Sequence, residues 1–124
     1  MQPTVEESDI SFLLGGSDVI RLYLKQKSLV RGTISITFFW TPEEAQQSVQ
    51  RYNEILARQD GTANLPTLAV GDLGYLDRSP NPRQVVLVAQ CRTGIIVELD
   101  PDYADDLVPL ATAISARIAA KCPF

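Results

Sequence analysis

The sequence predicts an α+β domain: an antiparallel sheet with two helices packed on one of its faces, in the order strand, strand, helix, extended segment, strand, strand, helix. Three observations lead there. Residues 20–25 and 33–38 alternate apolar with polar side chains, the period of a half-buried strand. Residues 45–56 and 107–118 repeat apolar positions at helical spacing on a single stripe. Residues 84–99 hold two apolar runs broken by a short turn, as in a hairpin. Because each helix has one stripe and the first hairpin alternates, one sheet face is expected to receive both helices.

The N-terminal residues 1–17 mix Pro, Glu and Ser with a Gly15-Gly16-Ser17 break around Phe12-Leu13-Leu14, and show no sustained period. They read as a loose segment ahead of a single domain over residues 18–124. In the first strand Ile20, Leu22 and Leu24 alternate with Arg21, Tyr23 and Lys25; in the second, from Gly32, Ile34, Ile36 and Phe38 alternate with Thr33, Ser35 and Thr37. The short polar link between them predicts an antiparallel hairpin.

Thr41-Pro42-Glu43-Glu44 is a helix start, with Thr at the N-cap, Pro at the first position and Glu at the third. The stripe Ala45, Val49, Tyr52, Ile55 and Leu56 follows, and Gln59-Asp60-Gly61 ends it. Trp40, just before the cap, is placed to pack on the first turn near Ala45.

Residues 62–82 are punctuated by Pro66, Gly71, Gly74, Pro80 and Pro82, with a short strand expected at Gly74 to Asp77 and a turn at Ser79-Pro80-Asn81-Pro82. Gly71 and Gly74 suit positive φ or a close approach of neighbouring chain, and Asp72 suits a bond to local backbone. The nearly continuous run Val85 to Ala89 is that of a strand covered on both faces or central in its sheet. Cys91-Arg92-Thr93-Gly94 supplies the turn into Ile95 to Leu99. The last stripe is Leu107, Leu110, Ala111, Ile114 and Ile118, with the regular helix expected from about Asp106 so that Pro109 falls in its first turn.

Composition excludes several activities. The chain has 124 residues, 15 acidic against 11 basic, and a formal charge of −4, so it offers no field to attract nucleic acid. It contains no histidine, which removes Ser-His and Cys-His nucleophile pairs and imidazole-held metals. No catalytic, cofactor-binding or metal-binding set is predicted, and no cofactor. The carboxylates Asp100, Asp102, Asp105 and Asp106 lack the glycine and distal Glu of a calcium loop and are read as helix caps. Tyr23, Phe38, Phe39, Trp40, Tyr52 and Tyr75 are spread over several elements and are read as core or rim rather than a stacking platform.

Two cysteines, Cys91 and Cys122, allow one disulfide if they meet in space, or stay a reduced pair in a cytoplasmic protein. A helix packed antiparallel to the strand Ile95 to Leu99 would bring its end back to the hairpin tip, and the two thiols together. No 18-residue apolar stretch is present, and the opening residues have no basic region followed by an apolar one. That leaves a cytoplasmic protein, or one whose targeting segment or membrane anchor lies outside this sequence.

The segment Val70-Gly71-Asp72-Leu73-Gly74-Tyr75, the hairpin Val85 to Leu99 and the helix Leu107 to Ile118 together resemble bacterial extracytoplasmic domains: small lipoproteins and the external sensor domains of membrane-anchored kinases. In that group a Gly-Asp-x-x-Tyr/Phe-like turn, a hairpin with a Gly-containing tip and a closing Ala-rich helix recur in this order. This chain departs from the pattern in its Cys-Arg-Thr-Gly tip and in having no lipobox. The resemblance implies an extracytoplasmic, non-catalytic module that binds a protein or small-molecule ligand, and it fits a Cys91 to Cys122 bond. The alternative is a cytoplasmic interaction or assembly subunit, which the acidic balance and the absence of a visible signal favour.

Overall fold

A computed structural model of the chain describes residues 4–9, 18–26, 29–79 and 83–122. Its elements are β1 (Thr4–Asp9), β2 (Asp18–Gln26), β3 (Leu29–Phe38), α1 (Pro42–Gln59), β4 (Leu73–Asp77), β5 (Gln84–Gln90), β6 (Thr93–Leu99) and α2 (Ala104–Ala119), with a 3-10 turn at Pro101–Tyr103 ahead of α2. The class is α+β, as predicted. The six strands form one antiparallel sheet in the order β1-β2-β3-β6-β5-β4.

The helices do not share a face. Val85, Leu87 and Ala89 of β5 and Ile96 of β6 pack with Val49, Tyr52, Leu56 and Ala57 of α1. The alternate residues Val86 and Val88 of β5 and Ile95, Val97 and Leu99 of β6 pack with Leu107 and Ala111 of α2. Side chains alternate faces along a strand, so α1 and α2 lie on opposite sides of the sheet, and the expectation of one shared face is corrected. The reason is in β5 and β6: both are apolar on both faces, and water is kept from two apolar faces only by a layer on each. Topology supplies the layers. Helix α1 carries the chain from the middle of the sheet at β3 to its far edge at β4, crossing β6 and β5, and α2 folds back from β6 over the other side.

The N-terminal strand is a second difference. The loose reading of residues 1–17 gives way to β1 over Thr4–Asp9, paired with β2 from Thr4↔Lys25 to Asp9↔Ile20. Its sequence, Thr-Val-Glu-Glu-Ser-Asp, has one apolar residue and so no period to detect. An edge strand needs only a backbone ladder on one side, and charged residues suit an edge because they discourage further pairing. The remaining residues of that segment, with Phe12, Leu13 and Leu14, and the turn residues Pro80 to Pro82 lie outside the described residues.

Helix α1 begins as read. Thr41 is extended (φ −134°, ψ 155°) and its hydroxyl accepts from the Glu44 amide at 3.2 Å, with Pro42 at the first helical position. Thr41→Ala is therefore expected to lower stability by roughly 0.5–2 kcal/mol in chemical denaturation. The buried line is Ala45, Val49, Asn53 and Ala57, a run at every fourth residue that passes through a polar side chain. Asn53 is fully buried because its Oδ1 accepts from the Leu65 amide at 2.7 Å and its Nδ2 donates to Asn64 Oδ1 at 3.1 Å, which anchors the loop leaving α1. Ile55, expected in the stripe, is exposed, and Trp40 is 74% exposed instead of stapled to Ala45. Phe39, the residue before it, is buried. Its amide donates to the Arg92 carbonyl at 2.8 Å, extending the β3 ladder by one residue, and its ring lies against Gly94.

In α2, Leu107, Ala111 and Ser115 are buried while Leu110, Ile114 and Ile118 pack on the core from its edge. The helix starts at Ala104, so Pro109 sits beyond the first turn, in the exposed part of the helix where its ring meets solvent.

Candidate functional site

Of the residues singled out in the sequence, the structure brings two together: Cys91 and Cys122 are disulfide-bonded, with Cα atoms 6.2 Å apart. Cys91 occupies the two-residue turn between β5 and β6 at φ 55°, and Cys122 follows the last turn of α2. The same end of the sheet is tied twice more. Asp72 Oδ2 accepts from the Cys91 amide at 2.9 Å, so this carboxylate reaches across 19 positions rather than bonding its own turn, and Ser115 Oγ donates to Gln90 Oε1 at 2.9 Å. Gly71 (φ 68°) makes the approach possible, since a Cβ there would lie 2.5 Å from Val88 Cγ1.

At the opposite end of the sheet a cleft of about 670 Å³ opens on the α2 side. It exists because α2 covers β5 and β6, while among the described residues no helix packs over β2 and β3. Leu24 of β2 and Leu99 of β6 belong to its apolar lining, and Pro109 and Leu110 of α2 form the wall, with Tyr103 at the entry to the helix. Two charged side chains also line it, Arg31 from β3 and Asp106 from the first turn of α2.

Arg31 belongs to a small ionic cluster. Asp100, read from sequence as a cap, makes no side-chain cap bond. Its Oδ1 instead accepts from Arg83 Nε at 2.9 Å, and its Oδ2 lies 3.4 Å from Arg31 Nη1. Arg83 is further held by the Val30 carbonyl at 3.0 Å. Two guanidiniums thus share one carboxylate, with the closer contact going to Arg83. Arg31 Nε is buried and has no hydrogen-bond partner. The Arg31 side chain as a whole is 33% exposed and lines the cleft, so part of its charge faces the opening.

A third feature lies on the α1 side, where Asp77 at the end of β4 meets Asp60 at the C-cap of α1, beside Gln59 and Ser79. Asp77 is 7% exposed and its Oδ1 accepts from the Ser79 amide at 2.9 Å. Burial pushes its carboxyl above the ordinary value; the Ser79 amide pulls it down, and the hydrogen-bonded Asp60 carboxylate pushes it up again. A carboxyl raised in the folded state contributes stability that is fully present below its unfolded value and lost as pH rises through its folded value. Asp77→Asn keeps the acceptor for Ser79 and removes the charge. It is expected to raise the melting temperature at pH 7 and to lose that advantage at or below about pH 4, the range of a free Asp carboxyl. Melts over that range check this, and an equal gain at both ends would contradict it.

Among the described residues no group of three or more His, Cys, Asp or Glu side chains is placed to hold a metal ion, and no helix is long and apolar enough to cross a membrane. The chain matches no protein-family model, and no curated protein or solved structure is significantly similar to it. The cleft was missed in the sequence because it is built from separate chain regions around Leu24, Arg31, Leu99 and Leu110. The one local signal was the period-two apolar face of β2 and β3.

Proposed function

We propose that the protein is a non-catalytic binding module of an oxidising, extracytoplasmic compartment, with the cleft beside α2 as its ligand site. The observation that carries the reading is the Cys91–Cys122 bond, because such a bond persists outside reducing compartments and is rare within them. The cleft supports the binding half. Its volume lies in the range of roughly 300–1,000 Å³ typical of ligand sites, and its lining is mostly apolar with a few convergent polar groups. The resemblance of residues 70–118 to extracytoplasmic lipoproteins and sensor domains points the same way.

Trp40, 74% exposed between β3 and α1, favours the second reading, a cytoplasmic interaction subunit with an aromatic anchor for a partner protein. One experiment separates the two. The protein is taken from its own cells into alkylating reagent without reductant, and its mass is measured. The binding-module reading expects no alkylated thiol in the native protein and two after reduction. Two alkylated thiols in the unreduced sample would select the cytoplasmic reading.

A further inference from the structure

We infer that the cleft beside α2 takes an apolar zwitterion, an amino acid or short peptide with free ends, whose carboxylate pairs with Arg31 and whose ammonium pairs with Asp106. This deepens the binding-module reading and rests on it.

Around the cleft, charge is placed at the rim of an apolar surface. Leu24 and Leu99 offer the ligand no hydrogen bond from their side chains, so its body must be apolar. On the β3 side stands Arg31, whose carboxylate neighbour is shared with Arg83 and sits closer to it, and whose side chain is 33% exposed on the cleft lining. The Arg31, Arg83 and Asp100 cluster, two cations sharing one anion, therefore keeps a net positive charge at the cleft, and a guanidinium pairs well with a carboxylate. On the α2 side stands Asp106, an exposed carboxylate with no ion pair among the described residues.

A purely anionic ligand would satisfy Arg31 and meet repulsion from Asp106. A purely cationic one would do the reverse, and an uncharged one would leave both unanswered. A zwitterion answers each, and like-charge rejection of the other two is what makes such a site selective. The free amino acid and the dipeptide share this chemistry and differ in how much of a 670 Å³ cleft they fill.

The test is a titration of the intact, disulfide-bonded protein followed by NMR chemical shifts, with four probes: leucine, leucyl-leucine, N-acetyl-leucyl-leucine and leucyl-leucine amide. Either zwitterion is expected to shift the resonances of Leu24, Leu99 and Leu110, and stronger binding by leucine or by leucyl-leucine identifies the source. Each blocked peptide should bind about tenfold or more weakly than the free one, the loss expected for one charge-assisted bond. Arg31→Gln should remove binding of the zwitterions. Asp106→Asn, an exposed change that leaves the fold intact, should bring N-acetyl-leucyl-leucine to the affinity of leucyl-leucine. Equal or tighter binding of a blocked peptide at the cleft overturns the ligand class and leaves the binding-module reading standing. No shift at the cleft with any of the four probes overturns both.

Discussion

Leu107→Ala is expected to destabilise the protein by roughly 2–5 kcal/mol, measured by urea unfolding with an unchanged slope. Leu107 is fully buried at the start of α2, against a sheet face formed by Val86, Val88, Ile95 and Val97, each at or near zero exposure. Truncation removes the transfer energy of the side chain and leaves a cavity that β5 and β6, fixed by pairing on both sides, cannot close. Leu110→Ala is the informative partner experiment. Leu110 is only partly buried on the cleft wall, so its loss should cost less stability.

Reduction of the Cys91–Cys122 bond, or replacement of both cysteines by serine, is expected to cost about 3–4 kcal/mol, the chain-entropy value for a loop of this size. The bond closes 31 positions of chain, from the β5–β6 turn through β6 to the end of α2. Its loss should act mainly on the unfolded state, so the native hydrogen bond from Ser115 to Gln90 should keep the end of α2 docked. Melts with and without reductant check the magnitude. An unchanged melting temperature, with both thiols shown to be alkylatable, would contradict it.

Much of the secondary structure is legible in the sequence because its signals are local. Thr41, Pro42 and Glu44 mark the start of α1, and the alternation of Ile34 and Ile36 marks β3. The placement of the helices was also written in the chain, in Val85 to Ala89, a run with no polar face that demands cover on both sides. The alternation of the first hairpin pointed the other way, and it was misleading because the helices make their main contacts with β4, β5 and β6, on the other half of the sheet. Strand β1 was invisible for a different reason. Edge pairing is backbone chemistry and leaves little trace in side-chain pattern.

The site was less legible than the fold. Spacing allowed the disulfide and a packing argument suggested it, but nothing local distinguishes bonded cysteines from reduced ones. Asp100 looked like a cap because it precedes a helix, whereas its two guanidinium partners come from 17 and 69 positions away. Asp60 and Asp77, separated by a loop, meet because β4 packs against α1, with the loop between them tied to α1 by Asn53. Clefts and ion clusters of this kind depend on long-range placement, which periodicity does not encode.

Isotope-filtered nuclear Overhauser contacts in the complex with leucyl-leucine show whether an apolar zwitterion sits in the trough α2 leaves over β2 and β3. Contacts are expected from the ligand methyl groups to the side chains of Leu24, Leu99 and Leu110. Contacts instead to Tyr52, Leu56 or Leu73 on the α1 side, or none to either face, would contradict that placement.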